Sequence, residues 1–196
     1  MGQEQGPEFY NTHLKKVSLP LEKSPWLDVY EVVLSLLPAD DVPIADLGCG
    51  TGRFAKLLAR RGYTKYLGID FAEKRVEAAR AYVPQFQFVV GDVLDPAVKS
   101  SLQGYRVFVL TEVLEHLQGD LELLESLPGG SCIVLSVPNY DSAGHVRRFE
   151  SPETVINRYS GLLDFSRRPS LVLTRPVRPE RKIFVHSARR RDTPHV

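Results

Sequence analysis

Short apolar runs recur along the chain after residue 43, and each is followed by a stretch with apolar residues at helical spacing. Residues 43–47, 66–70, 86–90, 106–110 and 132–137 read as strands, because Val, Ile, Leu and Phe follow one another with little polar alternation. Between them, 53–61, 73–82, 94–102 and 112–127 carry the helical pattern, the last with a break near Gly119. Gly62 suits a helix end, and Pro128-Gly129-Gly130 turns the chain into the fifth strand. Upstream, Ser24-Pro25 opens a helix whose stripe is Trp26, Tyr30, Val33 and Leu37, and Pro38 closes it. Ser151-Pro152-Glu153 starts another helix by the same cap logic. Residues 170–173 and 183–186 alternate like two strands joined by a Pro-rich connection, expected as an antiparallel pair.

Strands without alternation, each separated by a helix, indicate a mostly parallel sheet covered on both faces. The fold class is therefore α/β, a doubly wound three-layer α/β/α arrangement. Ligands of such sheets lie beyond the C-terminal ends of the strands. Residues 24–188 form one expected domain. Residues 1–23 read as an N-terminal arm, a candidate lid through Phe9 and Tyr10, and 189–196 as a basic C-terminal tail.

Composition narrows the class. With 196 residues, 43% of them hydrophobic, one sizeable core fits and two would be tight. The best membrane candidate, 29–37, is short and carries Glu31 and Ser35, so no membrane partner is expected. Two cysteines, Cys49 and Cys132, make no disulfide framework and no zinc spacing; a reduced, cytoplasmic protein is expected. The net charge of +1 conceals an asymmetry. Residues 1–144 hold 13 Lys/Arg against 19 Asp/Glu, whereas 145–196 hold 12 against 5. A basic C-terminal quarter suits an anionic substrate or nucleic acid, or simply a solvated face.

The chemistry gathers at "IADLGCGTG", 44–52. Gly48, Gly50 and Gly52 allow a tight turn and leave backbone bare for a ligand. Arg53 stands where a dinucleotide fingerprint needs its last glycine, and no GKS or GKT follows, so NAD, FAD and P-loop nucleotides are disfavoured. Asp46 beside the loop would repel a phosphate and suits a cationic ligand. Asp70 ends the second strand in YLGID, where a carboxylate can take a ribose, and Asp92 follows the third in FVVGD, where one can accept from an adenine amino group. Three acids past three successive strands describe a site for an adenosine with a positively charged amino-acid tail.

Through DLGCGTG, GID, VVGD and LTEVLEH, the chain from about 44 to 138 resembles the class I S-adenosylmethionine-dependent methyltransferases. The resemblance implies a Rossmann-like seven-stranded sheet of order 3-2-1-4-5-7-6 with the last strand antiparallel. It also implies S-adenosyl-L-methionine as cofactor and S-adenosyl-L-homocysteine as product. Asp46 with the glycine loop (Gly48, Cys49, Gly50 and Gly52) would hold the methionine part, Asp70 the ribose, and Asp92 with Val93 the adenine, with Phe71 also in the implied cofactor set. Thr111 and Glu112, at the end of the fourth strand, complete the implied cofactor set.

Methyl transfer from a sulfonium is an in-line displacement that needs a base only for a protonated acceptor. His116 is the first candidate base, or else a brace for its segment; Tyr140 and His145, after the fifth strand, are the other candidate catalytic groups. Arg147 and Arg148 can hold a carboxylate or phosphate. Glu112, Glu115 and His116 resemble the metal-binding ExxEH pattern of small-RNA 3′-end methyltransferases. An arginine stands where that pattern's further histidine would align, with His145 nearby, so no metal is expected. Neither a (D/N/S)PP(Y/F/W) box nor a Pro-Cys pair is present, which disfavours DNA methylation. The expected function is methyl transfer to oxygen or nitrogen of a small molecule, by a monomer or weak homodimer. The alternatives are an RNA-directed enzyme using the basic segment, or a non-catalytic cofactor-binding regulator.

Overall fold

The computed structural model describes residues 2–12, 20–39 and 41–192. Part of the expected arm (1 and 13–19) and the end of the expected tail (193–196) lie outside the described residues. The strands are β1 (Ile44–Leu47), β2 (Tyr66–Asp70), β3 (Gln87–Val90), β4 (Val107–Thr111), β5 (Cys132–Pro138), β6 (Leu163–Asp164), β7 (Leu171–Arg175) and β8 (Arg178–Arg190). The helices are α1 (Pro7–Thr12), α2 (Leu27–Leu36), α3 (Arg53–Arg60), α4 (Glu73–Tyr82), α5 (Pro96–Ser101), α6 (Asp120–Ser126) and α7 (Pro152–Tyr159).

The sheet order is β3-β2-β1-β4-β5-β8-β6, with β7 paired beside β6 on the outer edge of β8. The first five strands are parallel, and β8 runs antiparallel to β5. The expected architecture therefore holds, with one addition. The two-residue β6 is too short to leave a periodic signal, so the expected hairpin is β7–β8 and the strand in seventh place is numbered eighth.

Both faces of the sheet are buried, which is why its strands read as unbroken apolar runs. Ala45 and Leu47 of β1, Phe108 and Leu110 of β4, and Ile133, Leu135 and Val137 of β5 pack into one layer. Ile44, Val107, Val109 and Val134 pack into the other with α2 and α3. Each of these Val, Leu, Ile and Phe side chains stabilises by about 1.5–3 kcal/mol relative to exposure.

Three segments depart from the sequence reading. The helix expected over 112–127 begins only at Asp120. Glu112 takes a left-handed φ of 55°, which stops helix propagation, and the next residues form turns in which the His116 amide donates to the Val113 carbonyl. Helix α2 begins at Leu27; the Ser24 hydroxyl instead accepts from the Trp26 amide in the preceding turn. Arg189 and Arg190, expected in the tail, belong to β8. The Arg190 guanidinium is buried and donates to the carbonyls of Leu124 and Glu125, closing the end of α6. Among the described residues, no helix is long and apolar enough to cross a membrane.

Candidate functional site

The site forms where β1, β2, β3 and β4 end. Beyond β1 the chain passes through Gly48, Gly50 and Gly52 with φ of 80°, 54° and 74°, a path L side chains rarely adopt. Two of these glycines are also sterically required. A Cβ on Gly48 would lie 2.5 Å from Val113 Cγ2, and one on Gly52 would lie 3.1 Å from Ala79 Cβ. The loop is tied to β2: the Gly48 and Cys49 amides donate to the Ile69 carbonyl, and the Gly50 amide donates to Asp70 Oδ2 at 2.9 Å.

Two connected lobes of a cleft share Tyr10, Gly48, Arg75, Glu112 and His116. Asp70, Phe71, Gly91, Asp92, Val93 and Leu117 line the first. Asp46, Cys49, Gly50, Thr111 and the aromatic pair Trp26 and Tyr30 line the second. The structure thus brings together every residue of the expected cofactor set except Gly52, which caps α3 and packs on α4 instead.

Asp46 is 2% exposed and accepts a 2.5 Å hydrogen bond from the Tyr66 hydroxyl. Burial pushes its pKa up to about 7, against the lowering effect of that bond. Asp70 Oδ1 accepts from the Ala72 amide at 2.9 Å; burial raises this carboxyl too, opposed by its amide donors and Arg75. Asp92 Oδ1 accepts from the Leu94 amide, which fixes the turn after β3. Glu112 is pushed up to about 8 by burial, although the Ser136 hydroxyl donates to it at 2.9 Å.

His116 lines both lobes, but the other two candidate catalytic groups stand behind it. The His145 ring centroid lies 4.6 Å from that of His116, and Tyr140 lies 6.2 Å from His145. Neither Tyr140 nor His145 lines the cleft. Burial, followed by the neighbouring His145, pushes His116 down to about 4, and burial lowers His145 as well. Burial pushes the Tyr140 phenol up to about 12, and the Arg181 guanidinium lies over its ring. Both imidazoles are neutral at pH 7, and the phenol keeps its proton. Arg147 is not turned to the cleft: it donates to the carbonyls of Leu114 and Leu117 and pairs with Asp120 at 3.2 Å.

The N-terminal arm crosses the mouth of the cleft. The Gly2 amide donates to the His145 carbonyl, Glu4 accepts from the Gln118 amide, and the Tyr10 hydroxyl meets His116 Nδ1 at 3.1 Å. Tyr10 also packs on Phe71 and lies under the Arg75 guanidinium. Sequence reasoning missed Arg75, Tyr66, Val113 and Leu117. Tyr66 and Arg75 sit in a strand and a helix whose patterns are fully explained by packing, so no residual signal marks them.

The methyltransferase-domain family matches residues 44–127, the span from β1 to the end of α6. The match spans less than half of the chain and agrees with the resemblance to the class I S-adenosylmethionine-dependent methyltransferases read from the sequence. Among curated relatives of the chain, the trans-aconitate 2-methyltransferase of Afipia carboxidovorans is 35% identical over 107 residues, covering 52% of this chain and 41% of that protein. The ubiquinone biosynthesis O-methyltransferase of Bartonella tribocorum is 29% identical over 86 residues, covering 43% and 34%. The chain therefore spans less than half the length of these relatives. In fold, the chain is similar to the N-methyltransferase NodS from Bradyrhizobium japonicum WM9, solved in complex with S-adenosyl-L-homocysteine: TM-score 0.68, 19% identity, covering 94% of this chain and 96% of that one. It is similar also to the cyclase SpnF, with a TM-score of 0.67, 12% identity and coverage of 85% and 81%. A methyltransferase and a cyclase on one fold show that the scaffold alone does not fix the reaction.

Proposed function

We propose that the protein transfers the methyl group of S-adenosyl-L-methionine to an oxygen or nitrogen of a small molecule in the cytoplasm, as a monomer or weak homodimer. The observation that carries this reading is the convergence of Asp46, Asp70 and Asp92 on one cleft beside a glycine turn. Asp46 would face the cationic amino-acid part, Asp70 the ribose hydroxyls through its remaining lone pairs, and Asp92 with Val93 the adenine. In the reaction, a lone pair of the acceptor forms a bond to the methyl carbon as the carbon–sulfur bond breaks. The electron pair returns to sulfur, leaving S-adenosyl-L-homocysteine with a neutral thioether. The chain's task is to hold donor and acceptor in line and keep water out, which the arm over the cleft and the apolar wall of Phe71, Val93, Val113 and Leu117 favour.

Within this class we place a carboxylate oxygen first. A carboxylate acceptor carries no proton at pH 7 and needs no base, which suits a site whose nearest imidazole is neutral and largely enclosed. Relatives named for trans-aconitate methylation support the same choice. The test is release of S-adenosyl-L-homocysteine on incubation with panels of small carboxylic acids, phenols and amines. Turnover confined to amines would overturn the carboxylate preference, and turnover with none would sink the enzymatic reading.

The RNA-directed alternative rests on the basic C-terminal quarter, and the fold engages many of those charges internally. Arg158 pairs with Asp120, Arg148 with Glu150, Arg175 with Asp28, and Arg189, Arg190 and Arg191 donate to backbone carbonyls. Methyl transfer to RNA, with affinity falling steeply as salt rises, would restore that alternative.

A further inference from the structure

Behind the cleft, three side chains with metal-binding atoms meet. Glu115 is wholly buried, and among the described residues neither of its carboxylate oxygens has a hydrogen-bond partner. His116 Nε2 stands 3.8 Å from Glu115 Oε1, and the His145 ring crosses that of His116 nearly at right angles, at 81°. One metal-binding atom from each of Glu115, His116 and His145 lies within 4.8 Å of the other two.

The far nitrogen of each ring is already committed. His116 Nδ1 lies 3.0 Å from the Gly144 carbonyl, and His145 Nδ1 lies 3.0 Å from the Tyr140 carbonyl. A carbonyl only accepts, so His145 Nδ1 carries the proton; His116 Nδ1 meets both the Gly144 carbonyl and the Tyr10 hydroxyl, and in the tautomer that donates to the carbonyl its Nε2 presents a lone pair. In that tautomer the cluster offers two imidazole nitrogens and a buried carboxyl group whose oxygens have no hydrogen-bond partner among the described residues. Burying an unpartnered carboxyl group is costly, and a bound cation would offset that cost. Backbone carbonyls holding Nδ1–H are also the usual outer support of metal-binding histidines. One of them comes from Gly144, at φ +87°, where a Cβ would meet His116 Nδ1 at 3.2 Å, so the close approach requires glycine.

We propose that Glu115, His116 and His145 bind one divalent transition cation of borderline softness, zinc being the representative. Two imidazoles and a carboxylate are a recognised zinc donor set, and a four-coordinate ion would keep one position for water or an oxygen of a bound molecule. Donors about 2.1 Å from zinc at tetrahedral angles lie about 3.4 Å apart, so the three groups would draw together by about 1 Å on loading. The set is not that of the ExxEH pattern in the sequence: Glu112 is bonded to Ser136, and His145 reaches the cluster from outside the aligned position. The expectation of no metal follows from that alignment; the proposed site departs from it because His145 reaches the cluster along the path between β5 and α7. The two histidines are then ligands, not bases.

The inference does not rest on methyl transfer, and its test reads metal directly. Protein stripped with chelator is titrated with Co2+, followed by visible absorption, and with Zn2+, followed by calorimetry. One equivalent with a dissociation constant of about 10 µM or tighter is expected, and Glu115→Gln and His145→Gln should each weaken binding at least about 10-fold. Retained S-adenosyl-L-homocysteine binding and unchanged circular dichroism verify that each variant is folded. Wild-type protein that binds the nucleoside but takes up no Co2+ or Zn2+ overturns the proposal, as does uptake that survives the Glu115→Gln/His145→Gln double substitution. Metal uptake without nucleoside binding would instead sink the cofactor reading and leave this one standing.

Discussion

Asp46 shows most clearly how one residue is tuned by its place. Its carboxyl is held up to about 7, mainly by burial, because the strand that positions it is covered on both faces. A raised folded pKa means that the native state keeps a proton between about pH 4 and 7 that the unfolded chain has released, so this group's contribution is lost as pH rises through about 7. Asp46→Asn removes that loss while keeping an acceptor for the Tyr66 hydroxyl. The melting temperature of the cofactor-free variant should exceed wild type at pH 8 by about 3 °C or more and match it near pH 4. The same substitution should weaken S-adenosyl-L-methionine binding at least about 10-fold, because an ionised acid no longer faces the cationic group. For wild type, calorimetry should show affinity improving from pH 6 to 8 as Asp46 ionises; a flat profile would contradict the assigned role.

At the scale of elements, the glycine turn and the end of β8 carry separate tasks. Gly48→Ala would place a methyl against Val113 at a backbone angle that disfavours any side chain, costing about 1–3 kcal/mol. Both the thermal midpoint and S-adenosyl-L-homocysteine affinity should fall, and a Gly48→Ala variant binding as wild type would show that the turn does not shape the cleft. Arg190 acts far from the cleft. Its guanidinium occupies two carbonyls at the end of α6, so Arg190→Met should destabilise by about 2–4 kcal/mol in urea denaturation while leaving nucleoside affinity unchanged. The glycine turn is legible in the sequence because its three glycines sit between a buried strand and an amphipathic helix. Arg190 reads as tail, since a charge at a chain end gives no sign of the carbonyls waiting for it.

For the whole molecule, the alternation of apolar runs and helical stripes discloses the parallel sheet, and the acids at or just past the ends of β1, β2 and β3 disclose the cleft. Two things stay hidden. The 112–118 segment carries helical spacing, yet Glu112 bends it into turns that bury Glu115 and aim His116 at His145. That convergence joins segments separated by 28 residues and depends on the tertiary path, which local periodicity does not encode. The arm is similar: Tyr10 reaches the cleft through contacts with Phe71, Arg75 and His116 that no motif announces.

The most direct measurement is calorimetric titration of the purified protein with S-adenosyl-L-homocysteine, beside its Asp70→Ala variant. One site per chain in the micromolar range or tighter, weakened at least about 10-fold by the substitution, is the predicted result. No heat of binding at sub-millimolar nucleoside, or a variant that binds as well as wild type, would contradict the placement of the cofactor across the ends of β1, β2 and β3.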